Sequence, residues 1–155
     1  MLLRTKFKKV DSVTIGFWHE HGFTRGHPYA NPALEPLKER LLGIYGKAVC
    51  LPFTEPDLDD IMKRGELWRG YRALMCRGEP CHCHANSGEL WLQHEEDLAI
   101  CTGYAMSDDA MWRQHTWCVQ HEDDRVVETT TRRVLYYGYR MTFEEAEKFV
   151  EENPF

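Results

Sequence analysis

The chain has 155 residues, a length suited to one domain, and is 43% hydrophobic and 28% charged, a balance that excludes a disordered chain. Its formal net charge of -6, from 19 basic and 25 acidic residues, argues against nucleic-acid binding by phosphate neutralisation. No run approaches the roughly 20 apolar residues of a membrane helix, so neither nucleic acid nor membrane is expected as a partner.

The basic run Arg4-Thr5-Lys6-Phe7-Lys8-Lys9 reads as a solvated arm or an edge strand, and its charges interrupt any secretory h-region. With six Cys in a chain long enough to bury a core, and no export signal, the thiols are expected to be reduced and the protein cytoplasmic. Ser12–Trp18 reads as a strand, rich in β-branched and aromatic residues. Residues 19–36, with Gly22, Gly26, Pro28, Pro32 and Pro36 as breakers, read as a long loop in which His19, His21 and His27 sit beside Trp18, Phe23 and Tyr29. Leu37–Tyr45 reads as a helix stopped by Gly46, and Lys47–Phe53 as a buried strand.

A long helix is expected from Thr54 to about Met75. Thr54 or Asp57 would cap it, Asp57, Asp59 and Asp60 favour its positive end, and Leu58, Ile61, Met62, Leu67, Trp68, Tyr71 and Leu74 recur at helical spacing. Next come a turn at Arg77-Gly78-Glu79-Pro80, the cluster Cys81-His82-Cys83-His84-Ala85-Asn86-Ser87, and a short helical pattern over Ser87–Glu96. Strands are expected over Leu98–Met106, Ala110–His121 and Val126–Arg140, the last bent or split near Thr131–Arg133, before a capping box at Thr142–Glu145 opens a final helix. Helices followed by an antiparallel meander give an α+β class, a single unit over 1–155 with an N-terminal part to residue 75 and a core over 76–155.

Cysteine catalysis needs a thiolate, a base within reach of it, and a partner that orients the base. Cys83 lies nearer the expected helix than Cys81, and a helix N-terminus favours a thiolate and offers N–H groups to an oxyanion; Cys81 stays open as the reactive thiol. On a strand, Met111, Arg113, His115, Trp117 and Val119 share one face, opposite Trp112, Gln114, Thr116 and Cys118. A turn centred on Asp123-Asp124 sets residue 119 opposite residue 128 and keeps Glu128 on the face of His115. A turn centred on Glu122-Asp123 keeps that parity and sets Glu128 diagonal to His115; a change of one residue in loop length reverses it.

The motifs Cys83-His84-Ala85-Asn86, Gly103-Tyr104-Ala105, His115-Thr116-Trp117, Val126-Val127-Glu128-Thr129-Thr130 and Tyr136-Tyr137-Gly138 together resemble small bacterial and phage proteins of the papain-like (NlpC/P60-like) cysteine hydrolase superfamily. The resemblance covers roughly residues 80–145. It implies a Cys-bearing helix packed on an antiparallel sheet that carries the His and the acid, with Cys83 as nucleophile, His115 as base and Glu128 as orienter. Asn86, His84 and Trp117 are then candidates for substrate or oxyanion contacts, Asn86 also reading as a helix cap. The chain departs from the group in having no Gln a few residues before the Cys, where Arg77 lies, and in carrying Glu128 where much of the group has Asp.

The function expected is a hydrolase or acyltransferase acting on an amide, peptide or thioester carbonyl, with a peptide, protein or small-molecule amide or ester as substrate, and with no cofactor or metal. The alternative from another class is a non-catalytic binding protein with the same fold. Zinc is a third reading, on Cys76, Cys81, His82, Cys83, His84, His115, Cys118 and His121, but the cluster has no CxxC pair, and His115 and Cys118 point to opposite strand faces. Cys50, Cys76, Cys101 and Cys118 read as small core residues.

Overall fold

The structure is a computed structural model that describes residues 31–155; the basic run at 4–9, the strand expected over 12–18 and the histidines at 19, 21 and 27 lie outside the described residues. After a 3-10 turn at Pro32–Leu34 come α1 (Glu35–Ile44), β1 (Ala48–Cys50), α2 (Leu58–Arg64), β2 (Glu66–Arg69), a 3-10 turn at Gly70–Arg72 and β3 (Leu74–Met75). Then follow α3 (Cys83–Gln93), β4 (Leu98–Met106), β5 (Met111–Gln120), β6 (Val126–Glu128), β7 (Leu135–Arg140) and α4 (Phe143–Glu152). The class is α+β, the described residues forming four helices and one curled, mixed sheet in the order β2-β7-β4-β5-β6-β3, β1 joining separately on β5. β1 runs parallel to β5 and β3 parallel to β6; the other pairs are antiparallel.

The alternation along β4 explains the curl. Leu98, Ile100, Tyr104 and Met106 face the four helices and pack with Leu37, Leu41, Ile61, Trp91 and Ala146. On the other face Ala99, Cys101, Gly103 and Ala105 are all small, and the sheet bends around them to enclose Trp68, Trp117 and Tyr136. Trp68 of β2 and Trp117 of β5 meet edge to face with centroids 5.7 Å apart, a geometry aromatic quadrupoles favour. The concave side is therefore a second core, and His115 and Glu128 lie inside it.

The long helix expected over 54–75 ends at Arg64. Gly65 turns extended, at φ -59° and ψ 133°, and a Cβ there would collide with the Ile61 carbonyl and the Tyr137 ring. The chain then pairs with β7, Glu66 opposite Gly138 and Arg69 opposite Leu135. The helical-looking repeat is thus four elements in succession, α2, β2, the 3-10 turn and β3, of which Trp68 feeds the concave core and Tyr71 is exposed. Asp57 occupies the N-cap of α2, but its side chain makes no capping bond and instead accepts from the Tyr139 hydroxyl. Arg64, at the far end of α2, clasps both carboxylate oxygens of Glu145 at 2.7 and 2.9 Å and donates to the Arg140 carbonyl at 2.8 Å. Glu145 is also the third residue of α4 and closes its capping box with Thr142, so one carboxylate fixes both helices.

β5 is the element around which the site is built. One edge pairs with β4 along its whole length. On the other edge β1 covers residues 111–113 and β6 covers 118–119. Between them β5 has no strand partner, and the N-terminal half of α3 takes the place of one: the Ser87 hydroxyl donates to the Thr116 carbonyl at 3.3 Å.

Candidate active site

Cys83 is the first residue of α3, four residues earlier than the start expected from the sequence pattern. The chain reaches it through Cys81 at φ 65°, a left-handed conformation that costs a non-glycine residue about 1–2 kcal/mol and that bends the loop sharply into the helix. The first bond of the helix runs from the Asn86 N–H to the His82 carbonyl at 2.9 Å. The N–H groups of Cys83, His84 and Ala85 thus have no acceptor within the helix and present the positive end of its dipole around the thiol.

Asn86 does not cap this helix. It is only 2% exposed, and its amide grips the backbone of Glu79, donating to the carbonyl at 2.8 Å and accepting from the N–H at 3.2 Å. It anchors the loop that delivers Cys83, with both the oxygen and the nitrogen of its amide engaged there. Gly78 is required beside it, since a Cβ there would lie 2.6 Å from the Asn86 carboxamide.

His115 sits opposite Gly103 on β5, with its ring inside the curl. The β5–β6 hairpin pairs Val119 with Val126 and Cys118 with Val127, the register that centres the turn on Glu122-Asp123 and sets Glu128 diagonal to His115. The two side chains meet: His115 Nε2 donates to Glu128 Oε2 at 2.8 Å. A carboxylate only accepts, so Nε2 carries the hydrogen and, in the neutral ring, Nδ1 is the free acceptor.

Glu128 is fully buried, where a lone carboxylate would cost several kcal/mol. Four donors answer that cost: His115 and the Tyr136 hydroxyl at 2.8 Å on Oε2, and the Thr130 N–H and hydroxyl at 2.8 and 2.9 Å on Oε1. Burial would raise this carboxyl, but the hydrogen bond and charge of His115, with the donors from Thr130 and Tyr136, hold it down at about 2. For His115, burial opposes the charged ring, yet the Cys83 thiolate and Glu128 raise it to about 9.

The Cys83 thiol is half-buried and lies close enough to His115 to feel its charge. Burial would push it up; the charge and hydrogen bond of His115, followed by those of His84, bring it well below the ordinary thiol range. Each charge favours the other, so the pair is biased toward thiolate and imidazolium. By contrast Cys101 and Cys118 are buried thiols pushed up by desolvation, and the Cys118 Sγ donates to the Ser87 carbonyl at 3.5 Å. Among the described residues no three His, Cys, Asp or Glu side chains form a group that could hold a metal.

Trp117 has no exposed surface. It lies nearly parallel to the His115 ring, at 18° and 6.2 Å, and Tyr136 packs against both rings, so Trp117 walls the imidazole within the concave core. His84 is exposed and borders a recess of about 80 Å³ together with Glu55, Pro56, Asp57, Thr102 and Gln114. A larger shallow groove of about 160 Å³ lies elsewhere, between Trp68, Tyr71 and Val126.

Sequence reasoning missed Tyr136 and Thr130 as partners of Glu128, and Glu55 altogether. Thr130 had a local signal, an acceptor two residues before a hydroxyl residue, the spacing of side-chain turns. Tyr136 had only its place in the Tyr-Tyr-Gly motif. Glu55 accepts from the Tyr104 hydroxyl at 2.7 Å and from the Gln114 amide at 2.6 Å, contacts spanning 49 and 59 residues of sequence.

Compared with known proteins, the chain matches no family model, no curated protein and no solved structure. Among the described residues no helix is long and apolar enough to cross a membrane.

Proposed function

We propose that this protein is a cysteine-dependent hydrolase or acyltransferase of papain-like design, acting on an amide, peptide or thioester carbonyl. One observation carries the reading: His115 is held through Nε2 at 2.8 Å by a fully buried Glu128, and its charge acts on a thiol at the N-terminus of a helix. The Cys83 thiolate attacks the carbonyl carbon, and the carbon–sulfur bond forms as the π electrons move to oxygen. The N–H groups at the start of α3 stabilise that oxyanion. His115 passes its proton to the departing amine or thiol, then takes one from water, or from an acceptor nucleophile, as the acyl–enzyme is resolved. Glu128 keeps the ring in one tautomer and supports its charge throughout.

A protein that only binds partners has no use for a depressed thiol paired with a carboxylate-anchored imidazole. The plainer account of Glu128, a structural hub for Tyr136 and Thr130, explains its burial but not the thiol. Iodoacetamide alkylation followed against pH separates the two. Cys83 is expected to react in the acid range where ordinary thiols are silent; Cys83→Ala removes that reaction and His115→Gln moves it to higher pH. An acid-silent wild-type protein overturns the proposal.

A further inference from the structure

A second imidazole also reaches the thiol. His84 Nδ1 lies 3.6 Å from Cys83 Sγ and 2.7 Å from Thr116 Oγ1. The Thr116 hydroxyl is in turn 3.0 Å from that of Thr102, and both threonines are buried. The ring stands edge-on to Phe149 of α4, at 5.6 Å and 70°. An exposed histidine with nothing to do would not be fixed from three elements.

The hydroxyl pair suits a ring that changes charge. When His84 carries a hydrogen on Nδ1, Thr116 accepts it and turns its own hydrogen to Thr102; when Nδ1 is bare, Thr116 donates to it. Buried donors and acceptors are thus satisfied in either state, and neither state leaves a polar atom orphaned. The titratable groups facing the ring are Cys83 on its own helix, His115 from β5 and Asp57 at the start of α2, with Glu55 across the recess; Thr116, Thr102 and Phe149 complete its surroundings and do not titrate.

We propose that His84 is a second ion partner of the Cys83 thiolate, held in that role by the Thr116–Thr102 hydroxyl pair. This rests on the Cys–His–Glu reading above and extends it. Ionisation moves the proton from Sγ to a ring nitrogen, breaking one S–H bond and forming one N–H bond, with no other reactant. With two rings beside one sulfur, the thiolate stays paired whichever ring bears the proton. Loss of a proton from one ring then does not return the sulfur to an ordinary thiol, and the three groups titrate together.

The alkylation profile of Cys83 with iodoacetamide tests this in the full chain, using wild type, His84→Gln, Thr116→Val and His115→Gln. His84→Gln is expected to move the acid limb upward and to slow alkylation in the acid range about tenfold, the equivalent of one pKa unit. Thr116→Val moves it the same way by less, and His115→Gln moves it further. Linkage demands a reciprocal effect: in Cys83→Ala the His84 ring resonances, followed by NMR, titrate lower by the same amount. That second measurement needs no His84 variant. If His84→Gln superimposes on wild type while His115→Gln shifts, or if the His84 titration ignores the loss of Cys83, the inference is overturned and the triad stands. If wild type itself alkylates like an ordinary thiol, the triad fails and the inference falls with it.

Discussion

The two faces of β5 carry nearly the same device with different chemistry. On the helix side Gln114 donates to a buried glutamate, Glu55, which also accepts a tyrosine hydroxyl from Tyr104. On the concave side its neighbour His115 donates to a buried glutamate, Glu128, which also accepts a tyrosine hydroxyl from Tyr136. Each carboxylate also takes a backbone N–H two residues on, from Asp57 and from Thr130. The difference is one side chain in β5: an amide cannot carry a proton from place to place, whereas an imidazole can. One hub holds the 55–57 loop against the sheet, and the other holds the imidazole proposed to act as base. A buried carboxylate with a tyrosine is a structural motif first, and becomes part of a reaction only through what it orients.

Charge removal on each face is the strongest way to break that comparison. Glu128→Gln keeps the shape but gives the Nε2–H of His115 no anion, so alkylation of Cys83 in the acid range is expected to fall about 10- to 100-fold. Hydrolysis of an activated ester such as p-nitrophenyl acetate falls with it, by up to about 10⁴-fold if the triad analogy holds in full. An unchanged profile would make Glu128 as purely structural as Glu55.

Thermal stability against pH sharpens the comparison next. Glu128 lies at about 2 against an ordinary 4.5, so its contribution is complete above 4.5 and is lost as pH falls toward 2. His115 lies at about 9 against an ordinary 6.5, so its contribution is complete below 6.5 and is lost as pH rises through 9. The melting temperature is expected to plateau between those ordinary values and to decline on both sides, with both declines blunted in Glu128→Gln. A profile insensitive to that substitution counts against a charged pair.

Glu55→Gln removes the matching charge on the helix face. It is expected to cost about 1–3 kcal/mol of stability, through the mismatched Gln114 and Tyr104 donors, and to move the thiol profile far less than Glu128→Gln. The smallest effect is expected of Thr130→Val, which removes one of four donors to Glu128 and costs about 1 kcal/mol, read by denaturant unfolding.

Much of the site was legible because its parts follow local rules. The alternation in Met111–Gln120 placed His115, and the turn length left only registers that preserve its parity with Glu128; the structure has the diagonal one. The breaker Pro80 and the run after it located a helix start near Cys83, although the helix begins earlier than its apolar pattern because residues 83–86 carry no apolar stripe. The capping box at Thr142 and the split in the third strand run are also present, as β6, a connection over 129–134, and β7.

What could not be read depends on distant partners. Residues 66–75 spell a helical repeat, but β7 claims the first four as an edge strand and β6 claims Leu74 and Met75, pairings that span more than 50 residues. Gly65 was a visible weak point, yet the steric reason for it is the Tyr137 ring. Asn86 looked like a cap because caps and loop anchors use the same residue type, and only the position of Glu79 distinguishes them.

The unpartnered stretch of β5 has a consequence for how the protein is made. The thiol on α3, the imidazole on β5 and the carboxylate on β6 come from segments that meet only when α3 has docked between β1 and β6. During synthesis Cys83 emerges well before residue 128, and until the hairpin closes its thiol has no anchored imidazole to ionise it. The environment proposed to activate Cys83 is therefore a product of tertiary structure and is absent from the nascent chain.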